Sequence, residues 1–204
     1  MHGKLSRGLI YGLVGNLFFV LFSIVCYIYY KTFGIDGIVI KFIEVIAYVC
    51  EAAGFIFLLM SIINLCRTVR MRKLMKFGFS AYLLVELILM VLELNAFKFT
   101  FYNPYSLILA IFHSIFSAAV CFTFLSLDPG KTCLEIMVTV AVGIMLGGMF
   151  GNIFGIRIYF SILANALAYV ILFASINRML AREMIEIDCY GDKARVVEYK
   201  STFF

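Results

Sequence analysis

The chain has 204 residues, of which 64% are hydrophobic and 14% charged, and its mean hydropathy is +1.05, far from the roughly 45–50% apolar usage of soluble domains. Continuous apolar runs of about 20 residues argue against a soluble bundle and, lacking strand-like alternation, against a β-barrel. The net charge of +5 sits on Lys and Arg beside these runs and forms no long basic tract, which fits a lipid bilayer with positive-inside topology and not a nucleic acid partner.

The fold class expected is all-α: a polytopic integral membrane protein of six transmembrane helices, followed by a short cytoplasmic tail at 181–204. The first apolar run, 8–30, is too long for a signal-peptide core and is followed by no Ala-x-Ala site, so it reads as a span. Tyr27, Tyr29 and Tyr30 mark its far end as an interfacial belt. A second span at 38–65 runs into Arg67, Arg70, Arg72, Lys73 and Lys76, the strongest orientation signal in the chain. The third is expected at 77–96 and the fourth at 106–127, separated by an aromatic loop, Phe97 to Tyr105, with an Asn103-Pro104 turn. Asp128-Pro129-Gly130 ends the fourth.

The remaining apolar stretch, Leu134 to Leu180, would be about 70 Å long as one helix, more than twice the hydrocarbon thickness. It has to turn back. Gly155-Ile156-Arg157 is the one plausible turn, giving spans at 134–154 and 158–180. With the N-terminus inside, 13 of the 17 Lys and Arg face the cytoplasm, and Lys31, Lys41, Lys98 and Arg157 lie outside. The expected placement is therefore the plasma (inner) membrane with both termini cytoplasmic, N-in and C-in. Six cysteines, Cys26, Cys50, Cys66, Cys121, Cys133 and Cys189, form no Cys-x-x-Cys pair and read as small buried side chains.

Gly143, Gly147, Gly151 and Gly155 recur every four residues in the fifth span. Within a bilayer such a stripe lets a second backbone approach closely. Gly155, beside the expected turn, reads as a helix C-terminal glycine. Gly143, Gly147 and Gly151 are expected to pack on the small face that Ala164 and Ala168 offer in the sixth span, with a contact between copies of the chain as the lesser reading.

Ionisable groups inside spans are costly, at least about 2.5 kcal/mol on insertion scales, and usually face a cavity or a partner. Glu51 in the second span, Glu86 in the third and His113 in the fourth share a layer near the bilayer middle by residue count. They are the first candidates for a ligand site, or for a proton relay or helix-bridging carboxyls. Glu44 and Glu93 lie nearer the outer interface, beside Lys41 and Lys98, where snorkelling explains them. Asn152 and Asn165, in the outer half near the glycine stripe, complete the candidate ligand-binding set.

No catalytic motif is present: no Gly-x-Ser-x-Gly, His-Glu-x-x-His or phosphate-binding glycine loop. The sequence assigns neither a cofactor nor a metal. The leading expectation is a protein that binds or transports a small-molecule solute through an outward-facing pocket. The alternative is an assembly subunit that meets a membrane or cytoplasmic protein partner through the Arg67 to Lys76 loop and the tail, and the second alternative is a lipid- or isoprenoid-modifying enzyme. In gross architecture the six helices with both ends inside are similar to the substrate-binding subunits of energy-coupling-factor vitamin transporters. The resemblance covers topology and size, carries no residue motif, and implies a separate ATP-driven module.

Overall fold

The structure, a computed structural model, describes residues 2–32, 37–68, 73, 77, 78, 80–84, 87, 88, 104–128, 130–154 and 158–182. Its elements are all helical: α1 (His2–Thr32), α2 (Gly37–Thr68), α3 (Pro104–Thr123) tightening into a 3-10 turn at Phe124–Ser126, α4 (Thr132–Ile153) and α5 (Ile158–Ala181). Ser6–Lys31, Gly37–Leu65, Thr132–Ile153 and Tyr159–Ala181 are long and apolar enough to cross a membrane, and Ile111–Thr123 in α3 is a shorter apolar helix. Helices are what a bilayer demands, because each satisfies its own backbone hydrogen bonds where water is absent.

The outer surface agrees with that setting. Ile10, Leu17, Leu21 and Ile24 on α1 and Ile38, Phe42, Val45 and Val49 on α2 are exposed, an apolar skin that would be an aggregation liability in water and suits lipid. These helices fit a membrane-embedded protein.

Inward, the packing follows a seven-residue repeat. On α1 the buried residues include Gly8, Gly12, Gly15, Phe19, Phe22, Cys26 and Tyr29, alternating by four and three; on α2 they include Ala47, Glu51, Gly54, Leu58, Ser61 and Leu65 at the same spacing. That average of 3.5 residues is the period of helices crossing at a shallow angle with side chains interlocked. The two seams meet antiparallel. Ser61 Oγ donates to the Gly8 carbonyl at 2.6 Å, and seven residues along α1 the Gly15 backbone meets that of Gly54. A Cβ at Gly15 would lie 2.9 Å from the Gly54 carbonyl oxygen, and one at Gly54 3.1 Å from that of Gly15. At the far end Tyr29 Oη donates to Glu44 Oε1 at 3.0 Å.

The other face of α1 lies along α5, also antiparallel. Ser6 Oγ donates to Asn177 Oδ1 at 3.0 Å, a Cβ at Gly12 would strike the Phe173 ring at 2.6 Å, and the Tyr27 and Tyr159 rings meet edge-on at 5.6 Å. α5 in turn packs on α4 and α3, and α3 on α4. Leu9, Leu58, Leu134, Met145, Leu172, Phe173 and Ile176 join these helices into one apolar core.

On α4 the structure corrects the expected role of the glycine stripe. A Cβ at Gly143 or Gly147 would meet nothing within 4 Å, whereas at Gly148 it would lie 2.6 Å from the Ala164 Cβ and 3.3 Å from the Ser161 Cα. Ala164 is at the contact, Ala168 is buried, Gly151 is half-buried, and Gly155 with the rest of the turn through Arg157 lies outside the described residues. The reason is a mismatch of periods. The inward seam of α4 runs Leu134, Val138, Ala141, Met145, Gly148 and Asn152, again by fours and threes, so the seam passes through Gly148, which is 100° round the helix from Gly147.

Candidate functional site

α3 and α5 run in the same direction. His113 meets Asn165, Ser117 meets Tyr169 four residues further along both helices, and Phe124 meets Phe173 beyond them. Parallel alignment sets two polar faces against each other. α3 supplies His113, Ser114 and Ser117; α5 supplies Ser161, Asn165 and Tyr169 at strict four-residue spacing, which is one helix face.

All six are buried. Asn165 Nδ2 stands 2.9 Å from His113 Nδ1 and donates to Ser114 Oγ at 3.1 Å. Ser114 Oγ is 3.0 Å from Ser161 Oγ, and Tyr169 Oη donates to the Ser117 carbonyl at 3.0 Å. With the amide in this orientation Nδ1 of His113 is the acceptor, so the ring proton of neutral His113 sits on Nε2. Tyr82 roofs the cluster, its ring centroid 6.4 Å from that of His113 and 5.4 Å from that of Tyr169.

Two polar atoms in this cluster find no partner among the described residues: Asn165 Oδ1 and Ser117 Oγ. Asn165 is 2% exposed and Ser117 0%. Leaving a buried group unsatisfied costs about 1–3 kcal/mol. Turning the Asn165 amide over does not remove the problem, since it only exchanges which end of the amide is left open. The cluster is a built polar site with open valences.

The remaining sequence-derived candidates fall elsewhere. Glu51 is 6% exposed and belongs to the α2 seam, between Ala47 and Gly54, on the helix that packs along α1. Asn152 is buried on α4, one turn beyond Gly148 on the same inward seam. Glu44 bridges α2 to α1 through Tyr29, which makes it a packing residue. Glu86 and Glu93 lie outside the described residues, as do most of the Arg67 to Lys76 loop, most of the Phe97 to Tyr105 loop and the tail from residue 183. Among the described residues no three of His, Cys, Asp and Glu gather as a metal-binding set.

Ser114, Ser117, Ser161, Tyr82 and Tyr169 are not among the residues singled out from the sequence. Their signal is present in it: a His-Ser-x-x-Ser face in one apolar helix and Ser, Asn and Tyr at four-residue spacing in another. What the sequence lacks is the pairing of those two faces. No family model, curated protein or solved structure matches the chain.

Proposed function

We propose that the protein is a six-span integral protein of the plasma (inner) membrane, with both termini cytoplasmic, that binds or transports a small solute in a polar site between α3 and α5 opening toward the outer face. The observation that carries the reading is the pair of buried, unpartnered groups, Asn165 Oδ1 and Ser117 Oγ, because such atoms are tolerated where something else completes them. His113 and Asn165 form the centre of the site.

The six-span topology draws support from helix directions. α2 and α3 both run antiparallel to α1, so Thr68 and Pro104 mark opposite ends of the molecule, as a span between them requires. Tyr82, from the stretch between those helices, stands beside His113 and Tyr169. The distribution of Lys and Arg orients it, with five positive charges between Arg67 and Lys76 on the cytoplasmic side. A fluorescent protein fused after Phe204 is expected to mature in the cytoplasm, and an alkaline phosphatase inserted after Asn103 to be active outside. Activity of the phosphatase at the C-terminus instead would overturn the topology.

Native mass spectrometry of the gently solubilised protein tests the function. A small molecule is expected to remain bound to wild type and to be lost from Asn165→Leu that elutes as a folded protein. Its retention in the variant would remove α3 and α5 as the site. A second reading, an assembly subunit, is favoured by one observation: the open space in front of Gly143 and Gly147. A stoichiometric protein partner, released by Gly147→Leu, is what that reading requires.

A further inference from the structure

We propose that the solute taken up between α3 and α5 is an uncharged, hydroxyl-bearing molecule, a small polyol in chemical class; the proposal rests on the solute-binding reading above. The open valences define the ligand. Asn165 Oδ1 accepts hydrogen bonds only, while Ser117 Oγ both donates and accepts. If the Asn165 amide is turned over, its open end becomes a donor. A hydroxyl group completes every one of these arrangements, as a water would, because it donates and accepts at the same atom. A second hydroxyl lets one molecule serve both Asn165 and Ser117, which belong to successive levels of two parallel helices.

Charge selects in the same direction. The described members of the cluster are His113, Ser114, Ser117, Ser161, Asn165, Tyr82 and Tyr169, none carrying a fixed charge. Nδ1 of His113 is engaged by Asn165. An ion entering here gives up its hydration without meeting an opposite charge from these residues, a loss of several kcal/mol per ion in a protein interior. A neutral polyol loses far less, and each hydroxyl regains a hydrogen bond. The Tyr82 and Tyr169 rings pack against each other beside the cluster, 5.4 Å apart between centroids.

Ser117 separates this proposal from a merely structural polar cluster. Its hydroxyl has no partner among the described residues, so Ser117→Ala removes an open group and leaves the fold as stable as wild type or more so. The same change deprives a bound polyol of a hydrogen bond and weakens it about five- to tenfold.

The test is calorimetric titration of the full-length, detergent-solubilised protein with glycerol, erythritol and myo-inositol as neutral probes, and with acetate and tetramethylammonium as charged ones. The expected result is saturable heat with at least one neutral probe and none with either ion. Affinity for that probe should fall five- to tenfold in Ser117→Ala at unchanged melting temperature, and binding should vanish in Asn165→Leu. Saturable binding of acetate or tetramethylammonium that depends on Asn165 overturns the polyol assignment and leaves the solute-binding reading standing. If no probe binds, and wild type retains no small molecule in native mass spectrometry, the open atoms are completed by water alone and both readings fall. If wild type retains a molecule but none of the three polyols binds, the polyol assignment alone falls.

Discussion

Gly15→Leu is expected to lower the stability of the folded protein by about 3 kcal/mol, the upper end of the cost of overpacking a well-fitted core. The obstacle is backbone: the Gly54 carbonyl oxygen at 2.9 Å and the Leu58 nitrogen at 3.0 Å from the new Cβ. A side-chain neighbour can change rotamer, but these atoms move only if α2 moves. Gly147→Leu, in a helix of similar composition and with nothing within 4 Å of its Cβ, should change stability by no more than about 0.5 kcal/mol. Because both substitutions gain the same helix propensity, their difference isolates the contact. Unfolding midpoints in a mixed detergent titration measure it, and equal midpoints for the two variants would refute the α1–α2 seam as described. Gly148→Leu, facing Ala164 and Ser161, should resemble Gly15→Leu in direction.

Asn165→Leu carries the second large effect. It removes two hydrogen bonds, to His113 and to Ser114, and leaves the imidazole nitrogen buried without that donor. Interhelical hydrogen bonds in membrane proteins average about 0.6 kcal/mol with a maximum near 1.7, so a loss of about 1–3 kcal/mol is expected once the stranded nitrogen is included. His113→Leu should cost a similar amount. The double variant should be less damaging than the two losses added together, by about 1 kcal/mol, because the second change removes a group that the first has already stranded. Strict additivity in the same detergent titration would mean that Asn165 and His113 are not bonded to each other.

Four of the expected spans were legible in the sequence because membrane spans advertise themselves through length and apolar composition, which need no knowledge of a partner. The choice of inward face was not. Glycine at every fourth position in α4 looks like a packing stripe, and Gly8, Gly12 and Gly15 in α1 do not, yet the second set makes the close contacts. In water, polarity shows which face of a helix is outside. In lipid both faces are apolar, so the distinguishing signal is the alternation of fours and threes that links Gly54 to Ser61 or Met145 to Gly148. The site was half legible for a related reason. His113 and Asn165 stand out as polar groups in apolar helices, but serine is inconspicuous there, and nothing local pairs helices separated by some fifty residues of chain. Glu51 was the more conspicuous residue. It lies on the buried face of α2 with Ala47, Gly54 and Leu58.

The parallel course of α3 and α5 also bears on how the protein is made. Parallel helices cannot be joined by a tight turn, and here all of α4 intervenes between them. During translation His113, Ser114 and Ser117 therefore leave the ribosome 47 to 52 residues ahead of the side chains that complete them. At about 5–20 residues per second the wait is roughly 2 to 10 s. For that interval α3 carries the His113 imidazole and the Ser114 hydroxyl without their α5 partners, and the Ser117 carbonyl without the Tyr169 hydroxyl. α1 and α2, whose seam joins consecutive helices, can pair as soon as both have emerged.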